Sequence, residues 1–482
     1  MNKLKIIGIE LLILQCIVSV GLSMLLGQSG LLPTGQFILL VFMLVVLLAA
    51  AGILVIWKDK NSHKIIGITL ALLFSAGIFT AFFMISPAVT MLQAISSDYN
   101  ESVKVSVYVR KEDPAQTLQD VKDYSFGILY ALDRENTNAA VAGMEEKLGQ
   151  TLELRAQDSL TTLADALTLN EVEAIVLNES LLAVLDEIEG YEQFKDSIRE
   201  ISNEEVAIVT VTEEPKQEKD NSVFTVYISG IDGWGGIEGV GRSDVNIIAT
   251  VNTETKQVLL VSTPRDYFVE LPISNGTRDK LTHAGIYGIE CSKGTLEQLY
   301  QIDIDYYFRL NFSGFESIID TLGGIVVYSD YDFTVDEYHY LVGMNHMSGL
   351  SALAFARERY TLPGGDLDRG ENQMKIIKAT LSKCMSPAIL GHYTEVLEHI
   401  EGNFQTDMSY DMITSLVRMQ LKDGSEWNIQ TYSVTGTGKS SSTYSIPNAS
   451  LYVMEPDIAT VEQAMEYMQR VRVGEEIHLL EE

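Results

Sequence analysis

The sequence predicts an α/β protein: three N-terminal transmembrane helices, then a small α/β domain, then a larger α/β domain. Three observations carry this. Three long apolar runs open the chain, strand-like and helix-like segments alternate through the remainder, and one charged stretch interrupts that alternation. A chain of 482 residues also exceeds what one ordinary core accommodates.

The apolar runs cover residues 6–26, 37–57 and 65–86. A helix rises about 1.5 Å per residue and needs roughly 20 apolar residues to cross a bilayer core, so each run suffices. Glu10 and Gln15 make the first the weakest. It lacks the small-residue cleavage site of a signal peptide, and two further runs follow at once. Lys3 and Lys5 precede the first run, Lys58, Lys60 and Lys64 lie between the second and third, and residues 27–36 are uncharged. The positive-inside rule then places the N-terminus in the cytoplasm and everything after Pro87 outside, as a multi-pass plasma-membrane protein with an extracytoplasmic body.

Charge excludes several functions. The chain carries 34 Lys and Arg against 66 Asp and Glu, a net −32. Residues 1–86 hold five lysines and two acids, leaving 29 bases against 64 acids beyond them, a net of −35. With 46% hydrophobic residues this is not a disordered chain, and such an acid excess repels nucleic acid. Cys16 lies in the first span, leaving Cys291 and Cys384 outside. Two thiols do not make a disulfide framework, and no His/Cys cluster has zinc spacing.

Residues 88–212 read as a connector followed by the small domain. Its strands are expected at 103–109, 124–132, 151–156 and 173–177, and its helices at 114–122, 136–148, 160–168 and 181–189. It shows no nucleophile–base pair and no phosphate loop, so it reads as a spacer or interaction module, dispensable for chemistry. The stretch 213–222 (EEPKQEKDNS) marks the linker. The larger domain, 223–482, is expected to have strands at 223–229, 246–251, 257–262, 324–328 and 427–434. Its helices are expected near 296–300, 312–322, 349–356, 371–385 and 461–471.

The residues suited to chemistry gather in three places. SGIDGWGGIEGVGRSD (229–244) is a glycine-rich loop between strands, displaying Asp232, Arg242 and Asp244. Two carboxylates and a guanidinium beside such a loop suit a divalent cation with phosphate oxygens, although a solvated loop with a surface ion pair has the same composition. STPRD (262–266) ends a strand and sends out Arg265, where α/β sheets commonly place ligands, followed by Asp266. ARERYTLPGGDLDRGENQ (356–373) offers Arg357, Arg359, Arg369 and Gln373 around a Pro-Gly-Gly turn. Arginine suits bidentate phosphate binding better than lysine; a structural salt-bridge network is the competing explanation. His283 in KLTHAG reads as a structural hydrogen-bonder, and Lys280 beside it as a residue able to touch an anion. Gly438-Lys439-Ser440 resembles the end of a Walker A loop, but the required earlier glycine is Ser433.

GRSDVNIIATVN, LLVSTPRDYFVELP, KLTHAG, NFSGFESIIDTLGGI and ARERYTLPGGDLDRGENQ, in that order, resemble the successive motifs of LytR-CpsA-Psr (LCP) proteins. The triple-span N-terminus and small domain resemble the streptococcal capsule-type CpsA branch. The resemblance departs at Asn372, where many relatives carry a further arginine. It implies an α/β/α catalytic domain with a central mixed sheet and an apolar tunnel for lipid. It also implies phosphotransfer: a glycan, for this branch capsular polysaccharide, moves from a polyprenyl-diphosphate carrier to a peptidoglycan acceptor through a phosphodiester. Mg²⁺ is implied at Asp232 and Asp244, with Arg242, Arg265, Arg357, Arg359, Arg369 and Gln373 around the diphosphate. Arg265, Asp244 and Asp266 are the candidate catalytic residues; spacing does not choose between the two aspartates as base. Pyrophosphatase action is an implied side activity, and capsule assembly proteins are implied partners. A polyprenyl-phosphate-glycan-binding sensor without turnover is the alternative, but three spans with so little cytoplasmic chain leave little machinery for signalling.

Overall fold

The computed structural model describes residues 3–29, 32, 34–58, 60–95, 101–208, 222–231, 237, 240–386 and 404–479. Its first elements are α1 (Lys3–Ser29), α2 (Thr34–Gly52), which runs on through a π-helical turn at Ile53–Trp57, and α3 (Asn61–Ile95). Three stretches here, Lys3–Gly27, Thr34–Trp57 and Asn61–Phe83, are long and apolar enough to cross a membrane. Leu12, Ala51, Val55 and Ala71 pack together, and Leu22, Leu26, Leu44 and Ile78 form a second cluster. Ile17, Leu39, Phe42 and Phe83 are exposed, and an apolar surface of this kind is stable in lipid rather than water.

The small domain comprises β1 (Ser102–Arg110), β2 (Ser125–Leu129), α4 (Arg134–Leu148), β3 (Glu153–Gln157), α5 (Leu160–Thr168), β4 (Ala174–Asn178), α6 (Glu179–Leu185), α7 (Phe194–Ser197) and β5 (Ile198–Ala207). The sheet order is β3-β2-β4-β1-β5. β2 runs parallel to β3 and β4, and β1 antiparallel to β4 and β5. β1 and β4 are almost wholly buried, which explains their continuous apolar runs. The expected helix at 114–122 is only a 3₁₀ turn, Leu118–Val121, closed by a Thr117–Asp120 capping box. β5 was not expected: it is an edge strand reading IREISNEEVA, and its outward acids hide the alternation. The linker at 213–222 lies outside the described residues except for Ser222.

The larger domain begins with β6 (Val223–Ile231), β7 (Ser243–Asn252), β8 (Gln257–Ser262), β9 (Phe268–Glu270), β10 (Arg278–Lys280), α8 (Leu281–Ala284) and α9 (Ile289–Tyr300). Next come β11 (Tyr306–Leu310), α10 (Phe312–Thr321), β12 (Ile325–Ser329), β13 (Phe333–Val335), β14 (Tyr338–Tyr340), β15 (Gly343–Met347), α11 (Gly349–Arg357) and α12 (Asp366–Cys384). The last are β16 (Phe404–Thr406), α13 (Tyr410–Asp423), β17 (Asn428–Ser433), β18 (Gly436–Ser441), β19 (Leu451–Pro456) and α14 (Ile458–Arg472). The central sheet is mixed, in the order β16-β11-β6-β7-β8-β17.

One sheet face sends Tyr227, Ile248, Leu259 and Val261 against Leu296 and Tyr300 of α9 and Val461, Ala464 and Met468 of α14. The other sends Phe224, Ile247, Ala249, Val258 and Leu260 against Met374 and Ile377 of α12 and Met412 and Leu416 of α13. The result is an α/β/α sandwich, with apolar residues of successive strands serving both faces. The strand expected at 324–328 exists as β12 but pairs with β15 outside the central sheet. Gly438–Ser440 lies within β18, paired to β19, so it is no phosphate loop. Cys291 is buried and Cys384 half-buried, and both are free.

The two domains share a core. Leu181, Leu185 and Ile188 of the small domain cluster with Ile286, Ile446 and Leu451 of the larger one. Glu101, buried at the start of β1, meets buried Arg309 of β11 at 2.5 Å and accepts the backbone N–H of Ile289 at 3.0 Å.

Candidate active site

The site forms where β7 begins, β8 ends and α12 starts. β6 and β7 are antiparallel, so the glycine-rich loop leaves the sheet beside Ser243. Buried hydroxyls fix that corner: Tyr227 Oη donates to Asn246 Oδ1 at 2.7 Å and lies 3.0 Å from Ser243 Oγ. The KLTHAG turn packs on the same corner because Gly285 has no side chain; a Cβ there would fall 2.3 Å from the Gly241 carbonyl oxygen. The start of α12 crosses the end of β8, with the Cβ position of Gly370 lying 3.9 Å from Ser262 Oγ.

These elements bring several expected residues together. Arg265 Nη1 lies 3.1 Å from Asp244 Oδ1, and Arg265 Nε 3.7 Å from Asp266 Oδ2. Thr282, from α8, donates its hydroxyl to the same Asp244 oxygen at 3.1 Å, and its backbone N–H binds the Arg265 carbonyl. Burial alone would weaken the charge on Arg265, but Asp244, Asp266, Asp366 and Glu187 outweigh it and hold the guanidinium firmly protonated. Arg369 bonds Asp366 at 2.6 Å. Its affinity for a proton is lowered by burial and by the charges of Arg265 and Arg359, against the pull of Asp366 and Asp244. A half-buried guanidinium after β8 and a buried one in the first turn of α12 thus act on one another through their charges, a pair of groups suited to phosphate oxygens.

The remaining expected residues make contacts of their own or lie outside the described residues. Arg357 stacks on the Phe312 ring at 4.4 Å. Arg359 lies over Tyr360 and donates to its hydroxyl at 2.7 Å. Gln373 donates to the Ala356 carbonyl at 3.2 Å, tying α12 to the end of α11. Asp232 lies outside the described residues. Asn372, at the position of the departure, is buried.

A second ion cluster adjoins the first. Lys280 Nζ sits 2.9 Å from Asp266 Oδ1 and 2.6 Å from Glu187 Oε2, while Arg242 Nη1 bonds Glu187 Oε1 at 2.8 Å. His283, fully buried, holds Asp279 at 2.7 Å and faces Glu187 at 3.8 Å. Burial would discharge the imidazole, but Asp279 and Glu187 raise its pKa to about 9. Burial would likewise raise Glu187, yet His283 and Lys280 hold its carboxyl far below the ordinary range. The sequence reading missed Glu187 and Thr282: Glu187 belongs to the small domain and no motif surrounds it.

Fold and site together define an α/β/α protein with arginines and aspartates gathered where β7 begins, β8 ends and α12 starts. A model of the LytR_cpsA_psr family matches residues 188–466, and the chain belongs to that family. It is 37% identical over 190 residues to the polyisoprenyl-teichoic acid–peptidoglycan teichoic acid transferase TagU of Enterococcus faecalis, covering 39% of this chain and 62% of that one. It is 34% identical over 203 residues to the Bacillus cereus protein of the same name, covering 42% and 66%. The match therefore spans a little under two thirds of these relatives' length. Among solved structures, B. subtilis TagV aligns over 53% of this chain and 99% of its own, at 27% identity and a TM-score of 0.46.

Proposed function

We propose that this chain is a membrane-anchored extracytoplasmic phosphotransferase. It moves a glycan, capsular polysaccharide, from a polyprenyl-diphosphate carrier to peptidoglycan. The observation that carries this reading is the convergence of Arg265, Arg369 and Asp244 at the strand ends of a domain of this family. The acceptor hydroxyl oxygen attacks the phosphorus that bears the glycan, the phosphoanhydride bond breaks, and polyprenyl monophosphate leaves. Arg265 and Arg369 neutralise charge on the phosphates, and the hydroxyl proton passes to Asp244 or Asp266. The diphosphate is already activated, so no nucleotide is consumed.

The residues present suit Mg²⁺. It prefers oxygen ligands, and among the described residues the side-chain contacts of Asp244 run through Oδ1, with Oδ2 on the side offered to a cation. Among the described residues no group of three or more His, Cys, Asp or Glu gathers as for a metal held by protein alone. Asp244 with Asp232 would hold the ion, which would supply charge neutralisation at the diphosphate. Half-buried Ile228, Phe308, Ile377, Leu381 and Leu416 lie between the sheet and α12 and α13, and our reading gives that side to the lipid chain.

The test uses the full chain in detergent with a short-chain polyprenyl-diphosphate glycan, an acceptor muropeptide and Mg²⁺. Mass spectrometry should find a phosphodiester-linked product that vanishes with EDTA and in Arg265→Ala. Metal-dependent binding without product would replace this reading with that of a glycan-lipid sensor.

A further inference from the structure

We propose that Glu187, carried by the small domain, is a positioning residue of the anion site, fixing Arg242 and Lys280 where they meet the substrate diphosphate. The proposal rests on the phosphotransferase reading above. Both oxygens of this one carboxylate are used, Oε1 on Arg242 at 2.8 Å and Oε2 on Lys280 at 2.6 Å. Among the described residues, the side-chain contacts of Arg242 run to the small domain alone, the second being to the Ala183 carbonyl at 3.3 Å. Lys280 is linked onward to Asp266, and Asp266 to Arg265, so the chain of charges from Glu187 reaches the centre of the site. Without Glu187, Arg242 keeps no side-chain hydrogen bond or ion pair among these residues, and Asp186 acts on it through charge alone.

A carboxylate on phosphate-binding cations can act in two ways. It can occupy the place of the phosphate and leave when substrate arrives, or it can stay and orient the cations. Its anchorage decides between them. Glu187 sits in a tight turn after α6, its N–H bonded to the Val184 carbonyl and that of Ile188 to the Leu185 carbonyl. Leu185 and Ile188 on either side are buried in the core shared by both domains. The backbone at Glu187 cannot withdraw unless that core opens, and the carboxylate is held by Arg242 and Lys280, with His283 facing it at 3.8 Å, so on this proposal it stays. One oxygen goes to each cation; beyond the bond of Arg242 to the Ala183 carbonyl and that of Lys280 to Asp266, the N–H groups still unused are the ones this proposal gives to the ligand.

The test measures binding of inorganic pyrophosphate and transfer kinetics for the full chain, Glu187→Gln and Glu187→Asp, with a thermal melt of each. Glu187→Gln keeps the volume and loses the charge. It is expected to weaken pyrophosphate binding and raise the donor KM by roughly 10- to 100-fold, as when a residue orienting a ligand shell is removed. Glu187→Asp should recover part of both. Unchanged pyrophosphate affinity with a lowered melting point would make Glu187 mere inter-domain glue and overturn the proposal. Tighter binding would overturn it in favour of a carboxylate that competes with phosphate. A wild-type chain that binds pyrophosphate but transfers nothing would sink the phosphotransferase reading, while the binding comparison still decides the role of Glu187. A wild-type chain that binds no pyrophosphate overturns both.

Discussion

Arg265 touches Asp244 and Asp266 and senses Asp366 and Glu187. Arg265→Ala and Asp244→Ala should each lower transfer by about 10²-fold or more, the scale of losing one electrostatic stabiliser of a transition state. Circular dichroism should remain close to wild type, because neither side chain sits in the apolar core; unfolding of both would make the cluster a structural network. Both residues were legible in the sequence because each adjoins an apolar strand whose end is easy to place. Arg357 and Arg359 were equally conspicuous, yet aromatic rings hold them, and nothing in the spacing of ARERY foretells a stack on Phe312. His283 carries a pH dependence. Its pKa rises from 6.5 to about 9, so its charged form adds stability that is complete below 6.5 and lost as pH rises through about 9. Thermal midpoints should therefore fall across that window, and His283→Gln should be less stable below it and flatter through it. Glu187 has the opposite sign: its depressed carboxyl adds stability above its ordinary 4.5, lost as pH falls.

At the scale of elements, the site depends on close backbone approach between the KLTHAG turn and the start of β7. Gly285 has φ −64°, which any residue adopts, so its requirement is space alone. A methyl group there would meet the Gly241 carbonyl, part of the backbone that carries Arg242 and Asp244. Gly285→Ala should cost about 1–3 kcal/mol in urea unfolding, the range for overpacking, and should lower transfer more than the stability loss explains. Unaltered stability and activity would show that this contact is not tight. Strands β6, β7 and β8 were readable from their apolar runs, and the helix of α12 from its period. The ribbons β13–β14 and β18–β19 were not, because strands of three to six half-exposed residues show too few buried positions to set a period.

For the whole molecule, the consequential contact joins the two domains. Glu101 and Arg309 form a buried ion pair, and removing one member leaves the other uncompensated. Glu101→Ala should cost about 3–5 kcal/mol in unfolding or inter-domain stability, read by limited proteolysis and denaturant titration. A loss below 1 kcal/mol, on the order of a surface pair, would show that water reaches the interface. The sequence reading treated the small domain as dispensable. That reading concerned chemistry alone; in the structure the small domain covers Ile286, Ile446 and Leu451 and brings Glu187 to Arg242 and Lys280.

The sequence by itself determined what depends on local pattern: three spans from apolar length, a central sheet and its flanking helices from period, and arginines at strand ends from their place after apolar runs. Only the tertiary structure decided which charges meet. Glu187 lies 55 residues before Arg242 and 93 before Lys280, and no local preference records a contact at that distance along the chain. It exists because two cores merge, and that merger rests on apolar side chains that in sequence look like any other interior.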